Sequence, residues 1–117
     1  MNKREVGYEY EQRAAVFLQE QGYEIIECNY NSRTGEIDLI AKDGAYYVFI
    51  EVKYRSSIKN GYPEESVGYR KMKHITRTAR LYLLRHGLSE FTPCRFDVVV
   101  ILKEDIRLLK NAFDAVN

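Results

Sequence analysis

Two segments that alternate apolar and polar residues, Gly35-Glu36-Ile37-Asp38-Leu39-Ile40 and Val48-Phe49-Ile50-Glu51-Val52-Lys53, bracket the tetrapeptide Lys42-Asp43-Gly44-Ala45. Alternation marks half-buried strands, and Asp-Gly between two such runs is the strongest short hairpin signal. A turn centred on Asp43-Gly44 pairs Lys42 with Ala45, Glu36 with Glu51 and Asp38 with Phe49, leaving Asp38 and Glu51 diagonal. Opposed residues of an antiparallel pair point to the same side, so Glu36, Asp38, Glu51 and Lys53 share one face. Like charges opposed across a sheet are destabilising. Three carboxylates on one patch therefore call for a cation.

The rest of the chain supplies a scaffold around that hairpin. A helix is predicted over residues 5–21, ended by Gly22, with Val6, Tyr10, Ala14 and Phe17 as its apolar stripe and Gly7 and Leu18 beside it. Glu11 falls at the edge of this buried arc, where an unpaired charge is costly. A first strand is predicted over 23–30, with Ile26, Cys28 and Tyr30 on one face. Residues 56–62 read as a loop after Lys53, a place where substrate contacts often lie. A second helix, roughly 68–86, is stopped by Gly87 and carries Met72, Ile75, Ala79, Tyr82 and Leu83 toward the core. Residues 94–102 form a near-continuous apolar strand covered on both sides. Residues 106–109 add a short edge strand, and Ala112 and Phe113 dock the tail. The expected architecture is one α/β domain over 1–117, a mixed sheet flanked by helices.

Charge is unevenly spread. Residues 53–85 hold nine basic side chains against only Glu64 and Glu65, although the whole chain is close to neutral at +1. Within that stretch Arg70, Lys73, Arg77 and Arg80 form a ridge on one flank of the second helix. A basic segment beside a carboxylate cluster suits a polyanion held over a metal, and a solvated helix face is the plainer alternative. The charged opening Met1–Glu5 has no apolar signal core, and no apolar run approaches the ~20 residues of a membrane span. Cys28 and Cys94 are far apart and without zinc-site spacing, so both are expected as buried, reduced thiols of a cytoplasmic protein with no membrane role.

Asp and Glu oxygens bind Mg²⁺ or Mn²⁺, and Asp38, Glu51 and Lys53 are the residues expected to carry the chemistry. Such an ion polarises a phosphodiester, and Lys53 can stabilise charge developing on the phosphoryl group. Each residue also has a structural reading. Glu51 and Lys53 could form a solvated strand face, Asp38 could accept backbone hydrogen bonds, and Glu11 could be a salt-bridged acid at the core edge. Glu36 is read first as an ion-pair partner of Arg33, Arg55 or Arg95. Asp97 is expected to brace Arg95, while His74 and His86 read as helix-surface residues and Tyr10, Tyr30 and Tyr82 as core.

The spacing Asp38-x12-Glu51-x-Lys53 after a helix bearing Glu11 resembles the PD-(D/E)xK nuclease superfamily, which has the restriction-endonuclease-like fold. Gly7-x-x-x-Glu11-x-x-Ala14, Gly22-Tyr23, Asn29-Tyr30, Gly35-Glu36-Ile37-Asp38-Leu39-Ile40 and Phe49-Ile50-Glu51-Val52-Lys53-Tyr54-Arg55 follow in order. With Gly61-Tyr62-Pro63, Lys71, Ala79 and Arg95-Phe96-Asp97-Val98-Val99, they are similar to the YraN-like bacterial proteins, often compared with archaeal Holliday-junction resolvases. Ile37 stands where the superfamily name has proline, as it does in the YraN-like family. The resemblance implies an αβββαβ core, with Glu11, Asp38 and Glu51 as acidic site residues, Lys53 as the catalytic lysine and the Val52 carbonyl as a further metal ligand. The leading expectation is a metal-dependent nuclease with DNA, rather than RNA, as its partner, branched or structured forms included. Arg55 is expected to bind nucleic acid, and Arg70, Lys73, Arg77 and Arg80 to contact phosphates if their ridge faces the cleft. Leu81 and Leu84 are candidate interface residues for a homodimer. The competing expectation is a nucleic-acid-binding or repair-accessory module that keeps the fold without turnover.

Overall fold

The computed structural model describes residues 2–55 and 67–116; the loop expected over 56–62 lies outside them. In chain order the elements are α1 (Lys3–Glu20), β1 (Glu24–Ser32), β2 (Gly35–Asp43), β3 (Tyr46–Arg55), α2 (Tyr69–Arg85), β4 (Cys94–Leu102) and β5 (Asp105–Leu109). The five strands form one sheet in sequential order. β1, β2 and β3 pair antiparallel, β3 and β4 parallel, and β4 and β5 antiparallel. A parallel pair needs a crossover, and α2 is the helix in that connection. The result is the restriction-endonuclease-like αβββαβ core with an added edge strand.

Each helix covers one side of the sheet. Ala14, Ala15 and Leu18 of α1 pack with Leu39, Ala41, Val48, Ile50, Val99 and Ile101. On the other side Ile75, Ala79, Tyr82 and Leu83 of α2 pack with Ile40, Phe49, Val98 and Val100. β4 is therefore apolar on both sides, which its unbroken run of valines and isoleucine requires. Both helices end in the same way. Gly22 and Gly87, at φ 95° and 66°, take the left-handed position after the last turn. Their N–H groups and those of the following residues donate back to Gln19 and Leu18 in α1, and to Leu84 and Leu83 in α2. At the start of α1, the Asn2 side chain caps the first turn by accepting from the Glu5 N–H at 2.9 Å.

Three expectations are corrected. The hairpin closes on Asp43 and Tyr46, not on Lys42 and Ala45, so the turn residues are Gly44 and Ala45. Only Gly44 of this pair has positive φ (60°), the pattern of a hairpin turn with glycine at its first central position. Moving the turn by one residue moves each cross-strand partner by two, so the shared face of Asp38 and Glu51 survives while the pairings Glu36–Glu51 and Asp38–Phe49 do not. In β1, Ile26 and Cys28 are exposed while Tyr30 is buried. A register shift between Ile25 and Glu27, and Asn29 at φ 53°, break the alternation that would have put all three on one face. The expectation of buried thiols is overturned as well, for Cys28 by this irregularity and for Cys94 by its place at the first position of β4. Both cysteines are free, but Cys28 is exposed and Cys94 only half-buried.

Other details match. β4 begins and ends where expected, β5 lies at the edge, and Phe113 is buried and stacked on Phe96 with ring centroids 4.9 Å apart. Tyr30 and Tyr82 are core residues, while Tyr10 is half-buried and stacked on Tyr54 at 4.2 Å. Among the described residues, no helix is long and apolar enough to cross a membrane.

Candidate metal centre

The β2–β3 ladder runs from Asp43 and Tyr46 to Leu39 and Ile50, and there it stops. The next rung would have joined Asp38 to Glu51. Instead the Asp38 carboxylate takes over the ladder's role, accepting the Val52 N–H at 2.8 Å. β2 also rotates here, since Ile37 packs into the α2-side core and Leu39 into the α1-side core, although residues two positions apart on a regular strand share a face. Asp38 thus sits in the fork between two diverging strands, held by the backbone of one and supplied by the other.

Around this fork acids collect. Glu11 of α1 and Glu36 and Asp38 of β2 each place a carboxylate oxygen within 4.8 Å of the others. Glu11 is half-buried, Glu36 exposed. Burial, Asp38 and Glu36 together push the Glu11 carboxyl up from 4.5 to about 7, against a hydrogen bond from the Asn29 side chain. Glu11 and Asp38 lie close enough for the negative charge of Asp38 to favour the protonated form of Glu11. Burial also raises the Asp38 carboxyl, partly opposed by the Val52 N–H. Glu51 on β3 is raised to about 7, first by burial and then by the charge of Asp38.

Two lysines flank the acids. Lys71 of α2 lies 3.4 Å from Glu51 and opposes its shift. Lys53 shares the Glu51 side of β3, and burial lowers its pKa while Glu51 holds it up. Two lysines against four carboxylates leave an excess of negative charge in a partly desolvated fork. Oxygen-only donors at such a place suit a hard divalent cation. This acidic group is one that could hold a metal ion.

The structure brings together Glu11, Asp38, Glu51, Lys53 and Val52, and adds two residues to them. Glu36 joins the acidic group and makes none of the ion pairs expected of it with Arg33, Arg55 or Arg95; the strand alternation had already placed it on the right face. Lys71 was named in the resemblance without a role, and its reach to Glu51 depends on how α2 docks. Arg55, at the exposed end of β3, donates to the Tyr54 carbonyl at 2.9 Å. The ridge is not brought to the fork. Counting 100° per residue, Arg70, Lys73, Arg77 and Arg80 centre roughly 140° around α2 from Lys71, on its outward face; all are exposed except half-buried Lys73. His74 and His86 are exposed, as expected. Asp97 does brace Arg95, at 2.9 Å.

The model of Uncharacterised protein family UPF0102 matches residues 10–101, a span that includes Glu11, Asp38, Glu51, Lys53 and Lys71. The chain is 56% identical over 115 residues to the UPF0102 protein of Lachnoclostridium phytofermentans, covering 98% of both chains. It is 49% identical over 117 residues to that of Symbiobacterium thermophilum, covering 96% of this chain and 98% of the relative. The match to the protein of Caldicellulosiruptor saccharolyticus is 43% over 119 residues, 97% of this chain and all of the relative. The chain belongs to the UPF0102 family.

Proposed function

We propose that this protein is a metal-dependent nuclease of the PD-(D/E)xK kind, related to the YraN-like proteins, that binds DNA and hydrolyses its phosphodiester bonds. The observation that carries the reading is the fork at Asp38, where a ladder ends and carboxylates from α1, β2 and β3 converge beside Lys53. Glu11, Asp38 and Glu51 would hold Mg²⁺ or Mn²⁺, with Glu36 at the rim. In an antiparallel pair a residue directs its N–H and C=O to the same side, so the Val52 carbonyl leaves β3 on the side of Asp38 and is available to the same ion. A divalent ion held there supplies positive charge that polarises a phosphoryl oxygen.

The chain's own residues do the rest. Lys53 stands two residues beyond Glu51 on a rigid strand, where it can meet negative charge building on the phosphoryl group. Lys71 neutralises Glu51 in the free protein and can turn to the phosphate backbone when Glu51 is engaged elsewhere. In the metal-free protein Glu11 and Glu51 hold their protons up to about pH 7, so a cation bound by them would displace protons near neutral pH. Arg55 at the strand end is suited to contact a neighbouring phosphate.

A cleavage screen tests this: linear, flapped and four-way DNA, and RNA, each with Mg²⁺ or Mn²⁺. Asp38→Asn should abolish cleavage, and Lys53→Ala should cut turnover at least a hundredfold with nearly unchanged DNA affinity, as expected of a group acting on the transition state. Equal losses of rate and affinity would make Lys53 a binding residue. Tight binding without cleavage of any substrate would favour the accessory-module reading.

A further inference from the structure

Beside the acidic group lies a cavity of about 570 Å³, within the range that holds small ligands. One wall is the first two turns of α1, contributing Lys3, Arg4, Gly7 and Tyr8 before Glu11; Asn29 and Asn31 of β1 and Glu36 close it. Positions 4, 7, 8 and 11 share a helix face. Its polarity is divided, with two cations at the end near the helix N-terminus and two acids at the other. At 1.5 Å per residue, Lys3 and Arg4 lie about 10–12 Å along the axis from Glu11.

Two features of the cavity are unexplained by folding. Tyr8 is 57% exposed, a large aromatic ring that the core does not use. Gly7 sits inside α1, where glycine is among the poorest helix formers. Packing does not demand it, because a Cβ there would meet only the Tyr54 hydroxyl at 3.7 Å, an ordinary contact. The missing side chain leaves bare backbone as a cavity wall next to the exposed ring. Bare backbone, an aromatic face, side-chain amides and cations are what a nucleotide needs: close approach, stacking, hydrogen bonds to a base edge and phosphate contacts.

We propose that this cavity is a subsite for one unstacked DNA nucleotide next to the phosphate held at the acidic group. Tyr8 stacks its base, Arg4 and Lys3 take its phosphate, and Asn29 and Asn31 meet its base edge. The substrate class is then DNA with unpaired nucleotides, since taking a base out of an intact duplex has an unstacking cost that a flap or junction avoids. This deepens the nuclease reading and rests on it for the position of the scissile phosphate.

Fluorescence anisotropy tests it in EDTA, where no cleavage occurs, with one labelled oligonucleotide presented as a single strand, as a duplex and as a flapped duplex. Wild type should prefer the single strand and the flap. Tyr8→Ala should weaken those two about tenfold and leave the duplex nearly unchanged, and Tyr8→Phe should restore binding. Gly7→Ala should raise the melting temperature by a few degrees yet weaken flap binding, a split that a purely structural glycine would not show. Equal effects of Tyr8→Ala on all three forms, or none, would overturn the subsite. The nuclease reading fails separately, if wild type cleaves nothing in Mn²⁺ while the Tyr8-dependent preference persists.

Discussion

Asp97 and Asp38 lie on the same sheet, each with a buried or nearly buried carboxylate, and their surroundings are opposite. Asp97 is 0% exposed and surrounded by donors. Arg95 approaches it through two nitrogens, at 2.9 and 3.0 Å, the Tyr23 hydroxyl donates at 2.7 Å, and the Asn111 N–H at 2.9 Å. Arg95 reaches on to Asp43 at 2.9 Å, tying β2, β4 and the start of β1 together. Asp38 has one backbone donor, and around it stand Glu11, Glu36 and Glu51. A buried acid filled with donors is finished as it stands, and its place is structural. A half-buried acid among other acids is unfinished, and the group it belongs to could hold a cation.

The largest expected effect separates these two by the same substitution. Asp97→Asn leaves Arg95 with Asp43 as its remaining anion and takes away the acceptor oxygen of either the Tyr23 hydroxyl or the Asn111 N–H, so it should destabilise the fold by about 3 kcal/mol. Asp38→Asn keeps an oxygen for the Val52 N–H and removes a repulsive charge, so its stability at pH 7.5 should stay within about 1 kcal/mol of wild type, on the stabilised side. Urea unfolding of both variants decides the matter. A large loss in Asp38→Asn would show that the fork is held together by its charge, and the contrast would fail.

A second test uses pH. Glu11 and Glu51 are raised in the fold from 4.5 to about 7, so between those values the native state binds more protons than the unfolded one. Stability must then fall as pH rises through that window and be greatest below it. Glu51, whose side chain is 12% exposed, contributes on the order of 1–3 kcal/mol to this slope. Thermal unfolding at pH 5.5 and 7.5 should show the loss, and Mg²⁺ or Mn²⁺ should restore more at pH 7.5, where the acids are ionised. Asp38→Asn should flatten the profile and Asp43→Asn should not, since Asp43 belongs to the other cluster. A profile flat in wild type would mean that the acids are already compensated.

What was legible in the sequence follows the same division. The hairpin, both helices and the valine-rich strand are written in local patterns. Alternation around Asp43-Gly44, glycines at 22 and 87 and the run from Phe96 to Ile101 each act within a few residues. Asp38, Glu51 and Lys53 were legible because a period of two fixes the face even when the turn is misplaced by one residue. The divergence of β2 from β3 at Asp38 was not, because nothing in Ile37-Asp38-Leu39 says that a side chain will take the place of a ladder bond. Asn29 at positive φ hid the exposure of Ile26 and Cys28. Lys71 depends on the docking of α2 over a sequence distance that local patterns do not span. The outward orientation of the Arg70–Arg80 ridge came from the same docking.

The smallest expected effect concerns Glu36, the acid read first as an ion-pair partner and found beside Glu11 and Asp38. It is exposed and opposite Asn31 on β1, so Glu36→Gln should change stability by no more than about 0.5 kcal/mol. Its charge nevertheless raises both Glu11 and Asp38. If Glu36 only repels its neighbours, removing it lowers their affinity for protons and for a cation modestly, and Mn²⁺ binding by calorimetry should weaken by less than threefold. If it is a ligand, or orients one, the loss should be about tenfold or more. Asp38→Asn, which removes the acid at the centre of the fork, should abolish measurable binding in the same titration and calibrates the scale. Unchanged Mn²⁺ affinity in Glu36→Gln would make Glu36 a bystander on the exposed strand face, with any cation held by Glu11, Asp38 and Glu51 alone.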